Sequence, residues 1–141
     1  MKNLTFYVDG ACKGNPGPMG IGIVALAEDV RKEFKHSLGH GTNQMAELQA
    51  VRRALMKVKD PANSAVTIYT DSQYAQGLLG QDWKAKANQE LVWEIQRLIK
   101  TFGSFTIKKC SGHAGVKDNE RADKLADIAC YEEPELVLAV V

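Results

Sequence analysis

The spacing of apolar residues changes period near residue 42, and no other feature constrains the fold more. Before that point Leu4, Phe6 and Val8 alternate with Thr5 and Tyr7, the two-residue repeat of a strand with one buried face. The run ends at Asp9-Gly10. The Gly/Pro-rich stretch Gly14-Asn15-Pro16-Gly17-Pro18 must be a loop. Residues 20–27 and 31–38 read as two further strands, and the turn around Glu28-Asp29 joins them as a hairpin. Thr42-Asn43 is a helix start, because either side chain can accept from a free first-turn amide. Leu48, Val51, Leu55 and Val58 then recur at helical spacing, and Asp60-Pro61 closes the helix. A strand over 65–70 ends at Asp71, and residues 72–79 form a short helix. Leu91, Ile95, Leu98 and Phe102 mark a longer helix stopped at Gly103. A fifth strand follows over 104–110. Asp118 caps a last helix whose Ala122, Leu125, Ala126 and Ala129 face inward. A hairpin-built antiparallel part followed by strand–helix–strand crossovers implies an α/β fold, a mixed sheet with helices on its faces.

A chain of 141 residues fits one domain. With 45% hydrophobic and 25% charged residues it is expected to be globular, not disordered. No apolar run approaches the ~20 residues of a membrane helix, and no apolar signal core follows Met1-Lys2-Asn3, so a cytoplasmic protein without membrane contact is expected. Cys12, Cys110 and Cys130 are an odd set without a Cys-x-x-Cys pair, which argues against zinc and against a disulfide framework; three reduced thiols are expected. A net charge of +1 does not mark a nucleic-acid binder, so any such function must come from a local site. The domain is expected to span residues 1–131. Residues 132–141 form a C-terminal tail whose apolar end, 136–141, is expected to pack on the domain.

Five acidic residues invite a second reading. Taken singly, Asp9 and Asp71 at strand ends are turn or cap residues, Glu47 in a first helical turn suits the helix dipole, and Asp123 and Asp127 are solvated. Taken together, carboxylates gathered at the ends of adjacent parallel strands and at helix starts would repel one another unless a divalent cation joined them. Oxygen ligands with no Cys favour Mg²⁺ or Mn²⁺ over zinc. Two such ions about 3.5–4 Å apart can clamp the attacking and leaving oxygens of a phosphodiester.

Four segments carry a resemblance. Asp9-Gly10-Ala11-Cys12-Lys13-Gly14-Asn15-Pro16-Gly17, Thr42-Asn43-Gln44-Met45-Ala46-Glu47-Leu48, Thr70-Asp71-Ser72-Gln73-Tyr74, and Ser111-Gly112-His113-Ala114-Gly115 with Asn119-Glu120-Arg121-Ala122-Asp123 resemble, in order, the motifs of type 1 ribonucleases H. The resemblance implies a ribonuclease H-like five-stranded mixed sheet, its first three strands antiparallel, flanked by helices. It implies an endonuclease that hydrolyses the RNA strand of RNA–DNA hybrids with two Mg²⁺ ions, Mn²⁺ being a substitute, and leaves 5′-phosphate and 3′-hydroxyl ends. Asp9, Glu47, Asp71 and Asp123 are then the metal-binding carboxylates. The match selects Asp123 over Asp127. His113 takes a proton-transfer or product-release role. Asn15, Asn43 and Gln73 line the RNA side, where the ribose 2′ hydroxyl distinguishes RNA from DNA. Thr42 holds a DNA phosphate, and Trp83 contacts DNA-strand sugars. His36 and His40 match no motif and are read as surface residues. A monomer is expected.

The chain departs from many relatives between the third motif and the long helix. The basic protrusion found there is reduced to residues 79–88, with Lys84, Lys86 and Trp83. Fewer phosphate contacts imply weaker hybrid binding. The alternatives are another nuclease of the same fold and a non-catalytic hybrid-binding module. Binding alone does not require four carboxylates.

Overall fold

A computed structural model describes residues 1–110 and 116–134. Its elements are β1 (Lys2–Cys12), β2 (Gly17–Ala27), β3 (Val30–Gly41), α1 (Asn43–Met56), β4 (Ser64–Thr70), α2 (Gln73–Gly80), α3 (Gln89–Ile99), β5 (Ser104–Lys109) and α4 (Val116–Ala129). The expected order of strands and helices is met. One sheet runs β3-β2-β1-β4-β5. The first three strands are antiparallel, and β4 pairs in parallel with both β1 and β5. No helix among the described residues is long and apolar enough to cross a membrane.

Boundaries differ from the sequence reading where backbone bonding continues without apolar side chains. The pairing of β1 with β2 runs on past Val8, through Asp9↔Gly22 to Cys12↔Met19. Helix α1 ends at Met56, four residues before Asp60. Lys57 and Val58 donate to Ala54 and Leu55 at 3.1 and 3.2 Å, and these tight bonds close the last turn. Asp60-Pro61 instead opens a short 3₁₀ turn. Asp118 does not cap α4. It lies in the first turn and pairs with Arg31 at 3.0 Å. The tail over 135–141 lies outside the described residues.

Alternation along the strands divides the protein into two layers around the sheet. Phe6, Val8, Ile21, Ile23, Val66 and Ile68 pack with Leu48, Val51 and Leu55 of α1, Leu78 of α2 and Ile95 of α3. The opposite face takes α4 in a smaller cluster of Val24, Ala122 and Leu125, with Tyr7 and Leu26 against it. Close approach by α4 depends on Gly22, where an added Cβ would stand 2.1 Å from the Ala122 carbonyl oxygen. Backbone cannot rotate away as a side chain can. Gly22→Ala is therefore expected to destabilise the protein by about 2–3 kcal/mol, the scale of overpacking, as read from the midpoint of urea unfolding.

Candidate active site

Asp9 and Asp71 each follow the last parallel pair, Val8↔Thr70, so the strand ladder itself sets them side by side. The other two carboxylates arrive on helices from opposite faces of the sheet. Gly10, directly after Asp9, lets α1 touch the strand: an added Cβ would lie 2.3 Å from the Ala46 carbonyl and 2.5 Å from the Glu47 nitrogen. Gly22, the cross-strand partner of Asp9, admits α4 at Ala122, the residue before Asp123. Asp9 thus stands between two glycine contacts, one delivering Glu47 and the other Asp123.

Asp9 is only 9% exposed. Burial, hydrogen bonding with Asp123 and Asp71, and the charges of both push its carboxyl up to about 9. Burial also raises Glu47, and the charge of Asp71 adds to this, against the opposing hydrogen bond from Ser72. Ser72 Oγ donates to Glu47 Oε2 at 2.6 Å, and Asn43 Nδ2 donates to Oε1 at 3.3 Å. The Cys110 thiol nearby is raised by burial and by Asp71, which keeps it protonated. Among the described residues no three such side chains close into a ready-made metal cage. Asp9 instead shares hydrogen bonds with Asp123 and with Asp71.

The residues expected to meet substrate fall into two groups. Asn15 Oδ1 accepts from the backbone nitrogen of Asn43 at 3.0 Å, which ties the Gly-rich loop to the start of α1. Thr42 caps that helix, its Oγ1 accepting from Met45 at 3.2 Å. Gln73 is exposed at the start of α2, next to Ser72. Trp83 is held separately beyond the end of α2. Its ring covers Gly77, its backbone nitrogen donates to the Gly77 carbonyl at 3.2 Å, and 44% of it remains exposed. Residues 81–88 are not helical. His113 lies outside the described residues. Asp127 is exposed and paired with Lys13, away from the carboxyl cluster. Of the two histidines without a motif, His40 is exposed, but His36 is half-buried with Nε2 3.0 Å from Lys57 Nζ.

Sequence reading missed Ser72 as a site residue. It does two things at once, capping α2 through the Ala75 nitrogen at 3.0 Å and orienting Glu47. A serine directly after a strand-end aspartate and directly before a helix was the available signal.

Solved structures share this architecture. RNase H1 from Halobacterium salinarum superposes with a TM-score of 0.79 at 29% identity, over 90% of this chain and 96% of that one. LC11-RNase H1, solved in complex with an RNA/DNA hybrid, gives a TM-score of 0.78 at 26% identity over the same shares. Among sequences, a ribonuclease H of Desulforamulus reducens is 38% identical over 99% of this chain and 94% of its own length. Ribonuclease HI of Synechocystis is 35% identical over 96% and 92%. A family model for RNase H matches residues 1–131. The chain belongs to the RNase H family.

The raised carboxyl gives a stability prediction. Between the ordinary Asp value and about 9, the folded protein holds a proton on Asp9 that the unfolded chain releases, so without metal stability falls as pH rises through that window. Asp9→Asn removes this penalty. In metal-free buffer it is expected to raise Tm by roughly 3–8 °C at pH 8 and by little near pH 4, as read by calorimetry.

Proposed function

We propose that the chain hydrolyses the RNA strand of RNA–DNA hybrids with two magnesium ions held by Asp9, Glu47, Asp71 and Asp123. The carrying observation is the meeting of Asp9 with Asp71 and Asp123 at the parallel strand ends, with Glu47 alongside, in a chain of the RNase H family. Enzymes of this family depend on divalent metal ions. The donor set fits such a cation. Every proposed ligand is a carboxylate oxygen, the neighbouring thiol stays protonated, and a carboxyl pushed up by burial and by its acidic neighbours gains most from a positive charge. Held by these carboxylates, such ions would supply an activated water and would offset the charge on the departing ribose 3′ oxygen.

The chain's own residues do the rest. Ser72 and Asn43 fix both oxygens of Glu47, so that this ligand needs little reorganisation. The bond between Asn15 Oδ1 and the Asn43 backbone has a further effect. It leaves the Asn15 amino group to donate, while Asn43, whose amino group serves Glu47, keeps its side-chain carbonyl to accept. A donor and an acceptor side by side suit a 2′ hydroxyl, which is both. Thr42 Oγ1 accepts from the helix and still has its proton for a phosphate oxygen. Gln73, exposed at the start of α2 beside Ser72, is assigned to the RNA side, and the exposed part of the Trp83 ring is assigned to a DNA-strand sugar. His113 is assigned proton transfer or product release on the strength of its motif alone. That LC11-RNase H1 was solved with an RNA/DNA hybrid supports the substrate.

Two tests follow from this reading. With magnesium, the protein is expected to cut the RNA strand of a hybrid and leave duplex DNA intact. Asp71→Asn should lower kcat about a thousandfold or more, on the scale of losing charge stabilisation in such a site; equal cleavage by both proteins would rule out the role given to Asp71. Grafting a basic protrusion in place of residues 81–88 should lower KM and steepen its salt dependence by about one phosphate contact per added lysine. An unchanged salt slope would contradict the role assigned to this shortened segment.

A further inference from the structure

Asp123 reaches the pocket only through the placement of α4, whose contact with β2 is made largely by small residues. Ala122, Ala126 and Ala129 meet Gly20 and Gly22 of β2. So smooth a surface offers few ridges and grooves to set how far the helix slides or turns.

Besides the pair Lys13–Asp127 further along the helix, charged groups at the N-terminal end of α4 tie it to the sheet. Arg121 donates from Nε to Glu33 Oε2 at 2.9 Å and from Nη2 to Oε1 at 3.0 Å, a bidentate pair. Arg31 donates from Nη1 to the same Glu33 Oε2 at 2.8 Å and from Nη2 to Asp118 Oδ1 at 3.0 Å. Arg31 and Glu33 are two apart on β3 and so share a face, while Asp118 and Arg121 are three apart, one turn of α4. The four side chains link the strand to the helix, with Glu33 accepting from both arginines. Those arginines hold the Glu33 carboxyl down at about 2, so it stays charged at any working pH. Isolated surface pairs contribute little, but a bidentate network is where such pairs count.

We infer that Glu33 is a positioning residue for the acidic pocket: through Arg121 and Arg31 it fixes the register of α4 on the sheet, and so fixes where Asp123 stands relative to Asp9. The inference rests on the reading of that pocket as a metal site. Arg121 is two residues from Asp123, so a shift of the helix at one is felt at the other. Glu33 touches no reacting atom and acts only through the helix.

Magnesium binding to the full chain, measured by calorimetry without substrate, tests this. Glu33→Gln keeps the shape and removes the charge. Glu28→Gln, in the exposed β2–β3 turn, makes the same change in net charge outside the network. Glu33→Gln is expected to weaken magnesium affinity by about three- to tenfold, with Glu28→Gln matching wild type. In the cleavage assay the half-saturating magnesium concentration should rise for Glu33→Gln, while kcat at saturating magnesium stays within about twofold. A lower Tm with magnesium affinity unchanged would make Glu33 a structural staple and overturn the inference. Failure of the wild type to bind magnesium at all would instead overturn the reading of the pocket.

Discussion

The burial of Asp9 against the carboxyls of Asp123 and Asp71 is the constraint around which this protein is organised. A carboxyl buried to 9% exposure and pressed against two others cannot ionise at neutral pH without a compensating charge. Such a cluster opposes folding of the metal-free chain, and the main apolar core on the other side of the sheet must outweigh it. A divalent cation bound there would offset the repulsion that Asp9 meets. In the proposed reading, stability, metal binding and chemistry are therefore linked through Asp9.

Architecture serves this meeting point in a direct way. The parallel pairing of β1 with β4 sets Asp9 beside Asp71. Two glycines then let helices from opposite faces touch the same stretch of sheet, α1 at Gly10 and α4 at Gly22. The contact at Gly10 is reinforced by Ser72 and Asn43, which hold Glu47 by both oxygens. The contact at Gly22 is flanked outside the pocket by Glu33 and its two arginines and, further along α4, by the pair Lys13–Asp127.

Much of this was legible in the sequence because it is encoded by period and by residue type. Alternation in Leu4, Phe6 and Val8 gave β1, and helical spacing of Leu48, Val51 and Leu55 gave α1; all but half-buried Leu4 are core residues. Asp9 and Asp71 were conspicuous as acids closing apolar strands. Features that depend on partners distant in the chain were not legible. Nothing local marks Glu33 as the shared acceptor of Arg31 and Arg121, since its neighbours Lys32, Phe34 and Lys35 describe an ordinary exposed strand. The extension of β1 through Asp9–Cys12 was hidden because Gly and Ala carry no apolar signal, although their backbones pair with Met19–Gly22. The end of α1 was misplaced because Asp60-Pro61 is a strong breaker, and the helix had already closed by tighter bonds at Lys57 and Val58.

The protonation of Asp9 can be followed directly by carbon-detected magnetic resonance of its carboxyl, titrated with and without saturating magnesium. Without metal the resonance should titrate far above the ordinary aspartate range, near 9. With magnesium the transition should fall below about 4, as expected of a carboxylate bound to a cation. A transition near 4 under both conditions would mean that the three carboxyls do not crowd one another, and the central claim would be contradicted.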